Sequence, residues 1–139
     1  GGYWLRCDPV HLSMQNDLLL LQEVNPSQDE ALGICASMNE YFVGDGLEFF
    51  TPHPKRWYVR SKLSGRIHAA PLPKVVGTNV HGIMPKGEDA TRWHSLLNEM
   101  QMLLYSHPVN EAREARGELS VNSVWLWGAG QLENPLPMN

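Results

Sequence analysis

Charge, cysteine and long apolar runs are all scarce in this sequence, and each scarcity removes a class of answer. Only 19% of the 139 residues are charged, against 42% apolar. That balance belongs to a globular chain whose polar surface leans on Asn, Gln, Ser and His, and it leaves disorder to the ends. Two cysteines, Cys7 and Cys35, stand without a pairing motif, so reduced thiols in a cytoplasmic protein are expected. The longest apolar run, residues 18–21, falls far short of the roughly 20 residues that cross a bilayer. No secretory pattern opens the chain either, so no membrane partner is expected. A formal net charge of −4 argues against a nucleic-acid binder, even though Lys55, Arg56, Arg60, Lys62 and Arg66 form a local basic run. The chain opens Gly1-Gly2-Tyr3 rather than on Met, with strand-like residues at once, as expected of a fragment or a processed product.

Catalytic equipment is also missing. A two-metal hydrolytic site needs a crowd of carboxylates and imidazoles, yet there are five aspartates, and the histidines at 11, 53, 68, 81, 94 and 107 lack paired spacing. Asp8 with His11 is the one close pair, and no metal or cofactor is expected. No Gly-x-Ser-x-Gly elbow exists, and Ser106-His107 are merely sequence neighbours, so no catalytic residue is assigned. Cys7 beside Arg6 has a charge that would lower a thiol pKa; a small core residue on a strand is the stronger reading.

What is present is a regular pattern of elements. Residues 3–12 read as a strand that Pro9 interrupts or ends. Asn16-Asp17 marks a turn into a second strand over 18–24. Ser27 and Glu30 make a capping box ahead of Ala31, Leu32, Ile34, Cys35, Met38 and Phe42 at helical spacing, closed by Gly44 and Gly46. Residues 47–50 and 57–63 form a further hairpin across the proline-bearing segment 51–55. A glycine- and proline-rich stretch, 64–87, is longer than ordinary connections and reads as functional, mobile or in contact with another domain. A second long helix from about Glu88 carries Trp93, Leu96, Leu97, Met100, Leu103 and Leu104 on one stripe and stops at His107-Pro108. A short polar helix over 109–116, ended by Gly117, leads to a last strand over 121–127. The expected fold is a two-layer α+β domain over residues 3–130, with an irregular tail over 131–139. Its largely antiparallel or mixed sheet of about five strands carries two long helices on one face. Trp125 with Trp127, and Trp57 with Val59, share strand faces. Exposed aromatics there would mark an interface with a partner domain or with a second copy in a homo-oligomer.

The most chemically loaded segment is His107-Pro-Val-Asn110 through Arg113, Arg116 and Asn122 to the strand that ends Gly128-Ala129-Gly130. Arg113 and Arg116 lie three apart on the short helix and so share a side. Two guanidiniums there can fork a phosphate or carboxylate. Glu111, Glu114 and Glu118 are placed to neutralise them instead, and His107 and Asn110 to cap the turn between helices. A small phosphorylated or carboxylated ligand is the partner this segment implies. Its candidate contacts are His107, Asn110, Arg113, Arg116 and Asn122, with Arg6 and Arg60 contributing from the sheet.

These residues carry a resemblance. His107-Pro-Val-Asn110, Arg113, Gly117, Asn122 and Trp125-Leu-Trp-Gly-x-Gly130 resemble a segment of the archaeal-type cofactor-independent phosphoglycerate mutases. Arg6-Cys7-Asp8 is similar to that family's Arg-Ala-Asn/Asp strand, residues 31–60 to its helix and hairpin, and Pro85-Lys-Gly87 to the loop before a long helix, so the likeness covers about residues 3–130. Cys7 replaces the family's alanine and Ala129 its glutamine. A related proteobacterial group termed regulatory proteins resembles the chain most. The resemblance implies the smaller, substrate-side domain, which closes over a core that supplies the two-metal ligands and the phosphoserine nucleophile. Three functions follow as expectations. The first is a non-catalytic ligand- or partner-binding domain in a regulatory role; the second is a fragment of an active mutase that needs its core. The third is a protein–protein interaction module.

Overall fold

The computed structural model describes residues 2–129 and Leu136; the expected tail and the final glycine of Gly128-Ala129-Gly130 lie outside these, Leu136 apart. Among them the elements run β1 (Tyr3–Gln15), β2 (Leu18–Glu23), α1 (Gln28–Tyr41), β3 (Leu47–His53), β4 (Arg56–Ser61), α2 (Leu72–Val75), α3 (Ala90–Tyr105), α4 (Pro108–Ala115) and β5 (Ser123–Trp127). All strand pairs are antiparallel, in the order β2-β1-β4-β3, with β5 also on β1. The α+β architecture is as the sequence implied, and among the described residues no helix is long and apolar enough to cross a membrane.

β1 is the spine of the sheet. Tyr3 to Arg6 pair β4, Arg6 to Val10 pair β5, and Val10 to Gln15 pair β2. Contrary to expectation, Pro9 does not end the strand. It sits opposite Val124 in the stretch Cys7 to Pro9 that β5 alone pairs, where a missing N–H is tolerated. Asn16 takes the left-handed conformation, φ 57°, in the two-residue turn to β2. β3 runs on through Pro52 to His53, beyond the expected strand end at Phe50, at the cost of a register shift between Phe50 and His53.

Strand alternation sorts the side chains into two faces. Leu5, Cys7, Phe49, Val59, Val124 and Leu126 face the helices, packing with Ile34, Met38, Phe42, Trp93, Met100 and Leu104 into one core. The N-terminus of α1 is fixed by its capping box: Ser27 Oγ accepts from the Glu30 N–H at 3.1 Å, and Glu30 accepts from the Ser27 N–H at 2.9 Å.

The opposite face is not left bare as the sequence implied. The connection between β4 and α3 crosses it, tied down by a 2.7 Å bond from the Gly77 N–H to the Leu21 carbonyl and a 2.8 Å bond from the Val80 N–H to the Leu19 carbonyl. Val75 and Val80 close a second small core over Val10, Leu21 and Trp125. Trp125 is 1% exposed, and its indole donates to the Ala70 carbonyl at 2.8 Å. Trp57, paired with Val59 on the helix face, is likewise buried. Neither tryptophan is therefore an exposed interface residue. Enough apolar surface was available under a long connection to offset the entropy of ordering it.

Candidate functional site

The anion-rich segment folds inward. His107 caps α4: its Nδ1 accepts from the Val109 N–H at 3.1 Å, so Nε2 carries the proton and donates to Ser37 Oγ at 2.8 Å. The ring is buried against α1, and burial holds its pKa below the usual histidine value, a backbone contact with Gly33 opposing. Asn110 is 1% exposed. Its amide donates to the carbonyls of Leu104 and Val121, and its oxygen accepts from the Val121 N–H at 2.7 Å, locking the end of α3 to the approach of β5. Asn122 does the same at β1, accepting from the Leu12 N–H and donating to the Leu12 carbonyl.

Arg113 is a buried cation. Its side chain is 4% exposed, Nε donates to the Leu119 carbonyl at 2.8 Å, and Nη1 donates to Glu30 at 2.9 Å. Arg116 joins the same network through Glu30 at 2.9 Å and Glu118 at 3.3 Å. Glu30 is the hub. Burial pushes its carboxyl up, but the Ser27 N–H and the two arginines outweigh that and hold it below the ordinary value. The two guanidiniums are thus occupied by a carboxylate more than eighty residues away in the sequence, and Glu118 is the one neighbouring carboxylate that also takes part. These five residues brace α4, α1 and β5 rather than lining an open anion pocket.

Arg6 and Arg60 are the sequence-predicted residues that share the outer sheet face, Arg6 part-buried and Arg60 exposed. Register builds two rows across the outer sheet face. Glu48, Arg60 and Trp4 align in one; Phe50, Tyr58, Arg6 and Trp127 in the next. The Arg6 guanidinium lies 4.8 Å from the Trp127 ring centre and 5.3 Å from that of Tyr58. Arg60 lies 5.7 Å from Trp4 and 6.0 Å from Phe50. Stacking of this kind fixes a guanidinium's plane at low entropic cost. The arginines occupy diagonal positions on adjacent strands, roughly 7 Å apart in such a pair.

Each of these arginines has one acidic partner: Asp8 for Arg6 at 3.0 Å, and Glu48 for Arg60. Arg6 commits Nε and Nη2 to Asp8, and its Nη1 has no hydrogen-bond partner among the described residues. Asp8 is fully buried and missing from the sequence assignment. It accepts from the Trp57 N–H at 2.9 Å and from the Trp127 indole at 2.8 Å. Burial raises its pKa, against the pull of those donors and of Arg6. Its signal was the alternation Trp4-x-Arg6-x-Asp8, which puts all three on one strand face. His11, its close neighbour in sequence, binds the Ser120 carbonyl at 2.8 Å instead. Cys7 is buried on the helix face, where burial pushes its thiol pKa well up.

No family model matches the chain. Over 61 residues it is 38% identical to a probable 2,3-bisphosphoglycerate-independent phosphoglycerate mutase of Geobacter sulfurreducens, covering 44% of this chain and 15% of that protein. Over 106 residues it is 24% identical to the 2,3-bisphosphoglycerate-independent phosphoglycerate mutase of Methanosarcina mazei, covering 75% of this chain and 27% of that one. This is a domain related to part of those mutases. In fold it is similar to the cofactor-independent phosphoglycerate mutase of Thermoplasma acidophilum, with a TM-score of 0.65 and 16% identity over 93% of this chain and 37% of the mutase. The mutase-like matches thus leave most of each relative's length without a counterpart here.

Proposed function

We propose that this mutase-related domain is a binding rather than a catalytic unit, and that it takes a small phosphorylated or carboxylated ligand on its outer sheet face. The observation that carries this reading is the pair of ring-stacked guanidiniums, Arg6 and Arg60, on diagonal positions of β1 and β4. Each keeps donors beyond those given to its one carboxylate. An anion bridging the two arginines meets fixed donors and displaces no buried bond. Of the seven residues the sequence nominated, Arg6 and Arg60 are the ligand contacts; His107, Asn110, Arg113, Arg116 and Asn122 hold the elements that present them. A regulatory role, in a cytoplasmic setting, fits a ligand-binding domain of this kind.

The test is calorimetric titration with 3-phosphoglycerate at low salt, with and without divalent metal. Saturable binding is expected, and the double variant Arg6→Gln with Arg60→Gln should weaken it by at least roughly tenfold, the effect of about 1.4 kcal/mol. Asp8→Asn removes the carboxylate that competes for Arg6 and should tighten it. Unchanged affinity in the double variant sinks the assignment. The second reading, a piece of an active mutase, is favoured by one observation: the chain matches only 15% and 27% of the lengths of the two relatives. Mutase activity in a longer product of the same gene, with metal-ligating aspartates and histidines outside this segment, would establish it.

A further inference from the structure

A groove of about 530 Å³ lies between α3 and the β1–β2 hairpin, within the usual range of small-molecule sites. Its walls differ in kind. Leu12 and Leu19 of the hairpin, with Leu97 and Met84, supply apolar surface. α3 supplies His94, Asn98, Gln101 and Tyr105, spaced four, three and four residues apart and so on one stripe of the helix. Among the described residues no carboxylate, ammonium or guanidinium lines the groove, although α3 carries Arg92 and Glu99 elsewhere on its surface.

The hydrogen-bonding capacity of that stripe is partly unspent, and in a defined sense. His94 Nε2 lies 2.7 Å from the Pro85 carbonyl, which only accepts, so Nε2 holds the proton and Nδ1 is left as an acceptor. The Gln101 amide nitrogen donates to Ser123 Oγ at 2.8 Å, which leaves its oxygen free. Among the described residues the Asn98 amide has no hydrogen-bond partner, so it can donate and accept together. Two open acceptors, one bifunctional amide and an apolar wall complement an uncharged, flat molecule with N–H donors on its edge. A phosphate or carboxylate would find no cation here.

We infer that this groove binds an uncharged nitrogen heterocycle of nucleobase type, at a site separate from the arginine-bearing sheet face. The probe is adenine, added to the ¹⁵N-labelled chain and followed by the side-chain amide resonances of Asn98 and Gln101 and the backbone of α3. Saturable shifts at these positions are expected. The double variant Asn98→Leu with Gln101→Leu should weaken binding about tenfold, as for the loss of two hydrogen bonds, with amide dispersion elsewhere confirming that it folds. Arg6→Gln with Arg60→Gln should leave adenine binding unchanged, so failure here and failure of the anion site are separable. No saturable shift up to the solubility of adenine, equal affinity in the α3 double variant, or shifts confined to the sheet face would each overturn the inference.

Discussion

At the scale of single residues, the chain shows that a charged side chain's type is a poor guide to its availability. Arg113 and Arg116 are three residues apart on α4 and share the carboxylate of Glu30, yet one is buried and the other half exposed. Arg113→Ala takes one donor from the partly buried Glu30 carboxylate, which keeps Arg116, and the donor of the Leu119 carbonyl, and is expected to cost about 2 kcal/mol. Arg116→Ala, at a surface pair, is expected to cost less than about 1 kcal/mol. Urea denaturation of the two variants checks this; equal losses would mean that Glu30 does not depend on the buried partner. The asparagines make the same point from the neutral side. Asn39 accepts from the Phe49 N–H at 2.7 Å and donates to the Phe49 carbonyl, standing in for a strand partner on β3. Asn110 and Asn122 do likewise near β5 and β1. A side-chain amide has the same donor and acceptor as a peptide group, which is why Asn110 and Asn122 look like ligand contacts in the sequence and stand in for backbone in the fold, as Asn39 also does.

At the scale of elements, helix ends were legible because caps are local. Ser27 with Glu30 marks the start of α1 as the spacing implied, and His107-Pro108, read in the sequence as the stop of α3, also caps and opens α4. The His107 cap also ties these two helices together through Ser37, and it carries a pH dependence whose sign follows from its environment. Burial lowers its folded pKa below the unfolded value, so the unfolded chain takes up a proton first. The stabilisation is present in full above the unfolded pKa of about 6.5 and is lost as pH falls from there through the folded value. Protonating Nδ1 also removes the acceptor that holds the Val109 N–H. Thermal melts between about pH 7.5 and 5 should show this loss, and His107→Asn, which keeps a capping oxygen without a titrating ring, should flatten it. A slope that persists in the variant would assign it to another group. Strand boundaries were less legible. Pro9 and Pro52 sit inside β1 and β3 because what a proline costs depends on which neighbour needs its missing N–H, and pairing decides that.

At the scale of the whole molecule, the sheet is covered on both sides by different means: long helices on one face, an irregular connection on part of the other. The measure of that second cover is Trp125. If the layer is integral, Trp125→Ala should cost about 3–5 kcal/mol, as a buried tryptophan does; a loss below about 1 kcal/mol in the same denaturation assay would show the connection to be a loose flap. Covering Trp125 leaves the rows holding Arg6 and Arg60 as the part of the outer sheet face where guanidiniums stack on rings, and there the proposed ligand contacts gather. The sequence by itself determined the α+β class, the two amphipathic helices, the β1–β2 turn and the mutase likeness, because periodicity, caps and motifs are properties of neighbouring residues. Only the tertiary structure decided that Glu30 would occupy Arg113, that Asp8 would hold Arg6 beneath Trp127, and that residues 69–80 would bury Trp125. Those contacts join positions 83, 119 and 55 residues apart, and pairings at such range are set by register and packing, which no local pattern records.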